Sequence, residues 1–73
     1  MTKNILGSIL ARIDKEFGDN AEYLRVFIAG GNEYQILRDD LELLDDFAIL
    51  NFGGGNRHTA LYVTYDKIIA VAI

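Results

Sequence analysis

Seventy-three residues make one domain, residues 1–73, and a body that small buries only about 60% of the surface its unfolded chain exposes. The chain has no cysteine and a single histidine, His58, which excludes a disulfide scaffold, a thiolate metal site and a zinc centre, and leaves oligomerisation as the way to gain stability. A net charge of −4 argues against strong non-specific binding to nucleic acid or anionic membranes, while 51% hydrophobic residues beside 25% charged ones point to a protein interface.

The first element is a helix over about residues 4–17. Ile5, Leu6, Ile9, Leu10, Ile13 and Phe17 fall at helical spacing and make one apolar stripe. Thr2 or Asn4 can cap its start, because either side-chain oxygen accepts from an unpaired backbone N–H. Gly18, followed by Asp19 and Asn20, supplies the stop. Ile5, Ile9 and Ile13 are expected to be buried on the sheet.

The period then changes to two. Leu24, Val26 and Ile28 alternate with Tyr23, Arg25 and Phe27, a strand expected to be covered at least partly on both faces. Gly30, Gly31 and Asn32 make a turn that tolerates positive φ, and Glu33–Leu37 is the hairpin partner. Arg38–Asp46 reads either as the rest of a long bent strand or as one helical turn; strand is the preferred reading. Phe47–Phe52 is the next strand, Gly53–Arg57 a flexible turn, and His58–Thr64 the returning strand. Tyr65, Asp66 and Lys67 form a tight connection into Ile68–Ile73, an uninterrupted apolar strand. Such a strand needs covering or pairing, and the preferred reading is that it pairs with a neighbouring copy. The order is a helix and then about five strands, with no proline and no repeat.

Met1–Leu10 does not read as a signal peptide, since it carries one lysine and its apolar residues are interrupted by Gly7 and Ser8. No apolar run approaches the length of a membrane span, so a cytoplasmic protein without membrane contact is expected.

The residues give little chemistry. Asp39–Asp40, Glu42 and Asp45–Asp46 lack the glycine and terminal glutamate of a calcium loop, and adjacent carboxylates on a strand point to opposite faces. They read as a solvated acidic edge. Gly53–Gly54–Gly55–Asn56–Arg57 leads into a strand and not into a helix, so it reads as a hairpin turn and not as a phosphate loop. Arg57 and His58 at its end are secondary candidates for meeting a phosphate or a base. His58 has no nucleophile in a recognisable motif. Neither an enzyme, nor a metal, nor a cofactor is expected.

Two short segments carry a resemblance. Leu44–Asp45–Asp46–Phe47–Ala48–Ile49–Leu50–Asn51 is similar to the segment of Hfq-type proteins in which an aspartate, a polar residue and a phenylalanine enter an apolar strand. Val63–Thr64–Tyr65–Asp66–Lys67–Ile68–Ile69 is similar to their tyrosine–lysine–histidine turn into the last strand, with Asp66–Lys67 standing in place of lysine–histidine. With Gly31 after the first strand and the order of elements, the chain resembles the Sm-like (LSm/Hfq-type) family over roughly Leu24 to Ile73.

The resemblance implies a mostly β fold with an N-terminal helix: a five-stranded, strongly bent antiparallel sheet forming a small open barrel. It implies a cyclic homo-oligomer of five to seven copies, made when the fourth strand of one copy pairs with the fifth of the next. The subunit contact would then involve His58, Ala60, Tyr62, Thr64, Ile68, Ile69, Val71 and Ile73. It also implies binding of single-stranded U-rich or A/U-rich RNA at the pore. Asp45, Asp46 and Phe47 match one wall of the uridine pocket, and Tyr65 and Lys67 the other. A ring that serves only as a structural or protein-interaction assembly is the other expectation, favoured by the acidic balance and by Asp66.

Overall fold

Helix α1 spans Lys3–Phe17. Thr2, not Asn4, is its cap: the Thr2 hydroxyl oxygen accepts from the Ile5 N–H at 3.1 Å. The helix ends at Gly18, whose φ of +52° lies in the region that only glycine adopts freely. Only part of the apolar stripe goes inside. Leu6, Leu10 and Ile13 are buried, whereas Ile9 is half-buried and Ile5 stays 51% exposed.

A computed structural model describes the backbone of residues 1–54 and 57–73, with the side chains of Asp19 and of residues 53, 54, 57 and 58 left out of the description. Gly55, Asn56 and the side chains of Arg57 and His58 therefore lie outside the described residues. After α1 and a short 3-10 turn come β1 (Tyr23–Ile28), β2 (Asn32–Leu37), β3 (Leu41–Leu43), β4 (Phe47–Gly54), β5 (Arg57–Thr64) and β6 (Ile68–Ala72). All the pairings are antiparallel. One sheet has the order β2-β1-β6 and the other β3-β4-β5.

The chain is thus mostly β behind an N-terminal helix, with two corrections to the sequence reading. Six strands are present where five were expected, and they form two three-stranded sheets, neither closed. Both corrections have one cause. A 3-10 turn at Arg38–Asp40 interrupts the expected long strand, so that it becomes β2 and β3, each in a different sheet. The two alternatives weighed for Arg38–Asp46 are both realised there, one after the other. A second 3-10 turn, Tyr65–Lys67, carries the chain back from β5 to β6.

The first corner is pinned twice. The Arg38 N–H donates to the Glu22 carbonyl at 2.7 Å. Its guanidinium donates to both carboxylate oxygens of Asp14 on α1, at 3.1 and 2.9 Å. A planar fork matched to a carboxylate fixes orientation as well as distance.

The β1–β2 hairpin turns at Gly30 and Gly31, with φ of +100° and +86°. Its register runs from Tyr23↔Leu37 to Ile28↔Asn32. β1 buries Leu24, Val26 and Ile28 but leaves Tyr23 and Arg25 exposed, with Phe27 intermediate. Coverage on both faces, as expected from the sequence, is found only at Phe27. In β6 the pairing with β1 jumps from Phe27↔Ala70 to Ile28↔Ile68. This bulge leaves Ile69 out of the ladder, and its side chain, on the face opposite the buried Ile68, is 60% exposed.

One core joins all the elements: Leu6, Leu10 and Ile13 from α1, alternate residues of the strands, and Tyr65 from the second corner. Leu6, Leu24, Val26, Leu50 and Ile68 are the largest side chains shut wholly inside, each stabilising the fold by about 1.5–3 kcal/mol. Among the described residues, no buried side-chain nitrogen or oxygen lacks a hydrogen-bond partner. No helix is long and apolar enough to cross a membrane.

Candidate functional site

Two loops meet at one end of the β4–β5 hairpin. The first is the turn from β3 to β4, closed by the Leu44 N–H donating to the Phe47 carbonyl at 2.9 Å. It leaves Asp45 and Asp46 exposed at its tip and starts β4 at Phe47. The second is the Tyr65–Lys67 corner, which follows directly because Phe47 stands opposite Thr64 in the hairpin register. The Tyr65 hydroxyl donates to the Leu44 carbonyl and ties the two loops together. The bond brings the Leu44–Phe47 turn and Tyr65 together, from segments some 20 residues apart in the chain, and Lys67 lies on the same corner as Tyr65.

The arrangement has two anchors on its inner side. Tyr65 is only 8% exposed, so its ring is a core residue and its hydroxyl a strut. Burial pushes the Tyr65 phenol above the usual 10.0, while the Lys3 ammonium pulls the other way. The Met1 nitrogen donates to the Tyr65 and Ile68 carbonyls at 2.9 and 2.8 Å, and the Ala29 N–H donates to the Lys67 carbonyl at 2.8 Å. These bonds occupy the carbonyls on either side of the corner and fix its path.

On the outer side the charges are mixed. Lys3, from the first turn of α1, places its ammonium 3.1 Å from the Asp45 carboxylate, a pair that is 42% and 97% exposed. Asp66 is exposed and is held below the usual carboxylate range chiefly by the Thr64 hydroxyl, against desolvation, with a lesser contribution from the Lys67 ammonium. Three carboxylates thus share the site with the side-chain cations of Lys3 and Lys67. Phe47 is half-buried, and its ring lies 5.9 Å from that of Tyr62 at 56°, a tilted pair. Tyr62 is 67% exposed, the most exposed large apolar side chain among the described residues.

Arg57 and His58 are not part of this cluster. They sit opposite Gly54 and Gly53 at the other end of the hairpin, about 20 Å along the strands from Phe47 and Thr64. The residues expected at a subunit contact divide in two. Ala60, Tyr62, Thr64, Ile69 and Ile73 are exposed, and Ala60, Tyr62 and Thr64 lie on β5, the edge strand of its sheet. Ile68 is 1% exposed in the chain's own core and Val71 packs against that core, so these two offer a neighbour chiefly their backbone edge.

Sequence reasoning missed Lys3, 42 positions from its partner, for which no local signal exists. It also missed Tyr62 as the ring beside Phe47. That contact was within reach, since a hairpin register of Phe47↔Thr64 puts Phe47 and Tyr62 on the same face. The acidic residues do not gather: Asp39 and Asp40 lie on the first corner, Glu42 on β3 and Asp45 and Asp46 on the next turn. Among the described residues, no three Asp, Glu or His side chains are placed to hold a metal ion.

No family model, no curated protein and no solved structure matches the chain.

Proposed function

We propose that this chain is a ring-forming Sm-like protein that binds single-stranded U-rich or A/U-rich RNA at the pore. The observation that carries the reading is the meeting of the Asp45–Phe47 loop with the Tyr65–Lys67 corner, held by the hydroxyl of Tyr65 on the Leu44 carbonyl. The order of the strands supports it. With β2 and β3 taken as one strand broken by the first corner, the connectivity is a helix followed by five strands, the order that the resemblance implies.

In this reading β5 and β6, each an edge strand with one side unpaired, join between copies and consume the open edges. A head-to-tail contact of this kind closes into a cycle. Phe47 offers the exposed part of its ring for stacking on a base, worth about 1–3 kcal/mol per base. Lys67 and Lys3 meet a phosphate or a base edge. Repetition around the ring multiplies weak sites by avidity.

A second reading rests on a specific observation. Asp45, Asp46 and Asp66 are all exposed at the site, and Asp66 is held below the usual carboxylate range by the Thr64 hydroxyl. Carboxylates there repel a phosphate backbone, which favours a ring that binds protein partners or serves as a scaffold.

Native mass, measured alone and with a short U-rich RNA at low and moderate salt, separates the readings. A ring that gains RNA, loses it as salt rises, and loses it in the Phe47→Ala/Lys67→Ala double variant is the expected result. A ring that ignores RNA supports the second reading. A monomer in every sample overturns both.

A further inference from the structure

The outer faces of the two sheets differ in one respect. On β2-β1-β6, the Arg25 guanidinium lies 5.9 Å from the centre of the Phe27 ring and 3.7 Å from the Glu33 carboxylate. Glu33 stands opposite Phe27 in the β1–β2 register, so ring, carboxylate and cation complete one another within the chain. On β3-β4-β5 the rings and the carboxylate are present without the cation. Glu42, Ile49 and Tyr62 stand abreast across the three strands, and Phe47 shares their face, its ring 5.9 Å from that of Tyr62. Glu42 and Tyr62 are exposed, while Phe47 and Ile49 are half-buried. Over residues 41–43, 47–52 and 59–64 the only charged side chain is that of Glu42. Among the described residues it takes part in no ion pair.

We propose that this face docks an arginine-bearing segment of a partner protein, its guanidinium lying on the Phe47–Tyr62 rings with Glu42 as its counter-charge. The faces of aromatic rings carry negative potential and attract a cation. A guanidinium is planar, weakly hydrated and able to stack, so it gains more from such a platform than an ammonium does. Adjacent strands lie about 4.8 Å apart, which puts the backbones of Glu42 and Tyr62 about 10 Å from each other with Ile49 between. An arginine laid across that row covers Ile49 with its methylenes and brings its charge to the rings and the carboxylate.

Charge selects the occupant. The net charge of −4 draws in a basic segment and disfavours a nucleic acid on this face. At the end of the face the exposed Asp45 and Asp46 add negative charge, part of it met by Lys3. The proposal gives the protein-binding reading a partner chemistry. It uses the side chains of a single copy and so does not depend on the ring, although it shares Phe47 with the RNA reading.

The test is a titration of the isotope-labelled full chain with a short peptide of alternating arginine and glycine, followed through the backbone amide shifts in NMR spectra. Shifts are expected at Phe47–Asn51 and Ala60–Thr64, and a lysine–glycine peptide of equal length is expected to bind more weakly. Tyr62→Leu, which removes a ring 67% exposed, and Glu42→Gln are each expected to weaken binding of the arginine peptide about three-fold or more. Tyr62→Phe keeps the ring and is expected to bind as the wild type does. Glu22→Gln removes the same charge from an exposed position ahead of β1; it is the control for net charge and is expected to change little. Binding that Tyr62→Leu leaves intact, or that Glu22→Gln weakens as much as Glu42→Gln, overturns the proposal. So does a face that takes a U-rich oligonucleotide and ignores the peptide. A chain that is monomeric throughout and binds the peptide at these residues upholds the proposal while the ring reading falls.

Discussion

Tyr65→Phe removes one oxygen from the middle of the molecule and leaves the ring in place. The ring is 8% exposed and Phe fills nearly the same volume, so the packing change is small. What is lost is the hydroxyl bond to the Leu44 carbonyl, the strut between the two loops. Leu44 is itself only half-buried, so water can reach its freed carbonyl and the cost stays near that of an ordinary neutral hydrogen bond, about 1 kcal/mol. For a domain of this size that corresponds to a drop in Tm of roughly 4–8 °C at neutral pH.

The pH dependence gives a second and sharper expectation. Burial raises the folded phenol above 10.0, so the folded state holds its proton more tightly than the unfolded state does. That contribution is complete below the unfolded value and is lost as pH rises through the folded one. The wild type is expected to lose stability on this account above pH 10, and the phenylalanine variant is not, so the gap between them narrows as pH rises. Urea unfolding at fixed protein concentration, at neutral pH and in steps above pH 10, reads both effects; the concentration must be held because association shifts apparent stability. Equal midpoints at neutral pH, or a gap that stays constant into the alkaline range, would refute the account of Tyr65 as strut.

Two further outcomes are expected. Gly18→Ala meets no atom within 4 Å of the new methyl group, so its cost is that of holding alanine at φ +52° and ψ −128°, outside the left-handed helical well, roughly 1–3 kcal/mol, seen as a lower melting temperature. Arg38→Lys keeps the charge but loses the second of the two bonds to Asp14. With 26% and 53% of the two side chains exposed, a double-mutant cycle with Asp14→Asn is expected to give a coupling below about 1 kcal/mol that falls with salt.

Much of the chain was legible because its patterns are local. The spacing of Leu6, Leu10 and Ile13 and the stop at Gly18 define α1, and the alternation of Leu24, Val26 and Ile28 defines β1. The first corner was obscured because Arg38–Asp40 is polar and lies between apolar stretches that both favour strand. What turns it into a 3-10 turn is a set of partners, Asp14 and Glu22, on elements formed earlier in the chain. Ile5 was misjudged because periodicity identifies an apolar stripe and not how much of it is buried. The site was legible as two short segments of sequence, but not as one place. Only folding brings the Tyr65 hydroxyl to Leu44 and the Lys3 ammonium to Asp45.

The chain passes between its two sheets at only two places, the corners at Arg38–Asp40 and Tyr65–Lys67, and each is clamped to a distant element. Together they act as a protractor, setting the dihedral angle between the sheets. When copies join edge to edge, each turns by a full circle divided by the number of copies, so rings of six and seven differ by only about 9° per copy. In the proposed ring, substitutions at Asp14, Arg38, Leu44 or Tyr65, none of which need touch a neighbour, are thereby expected to alter the number of copies that closes.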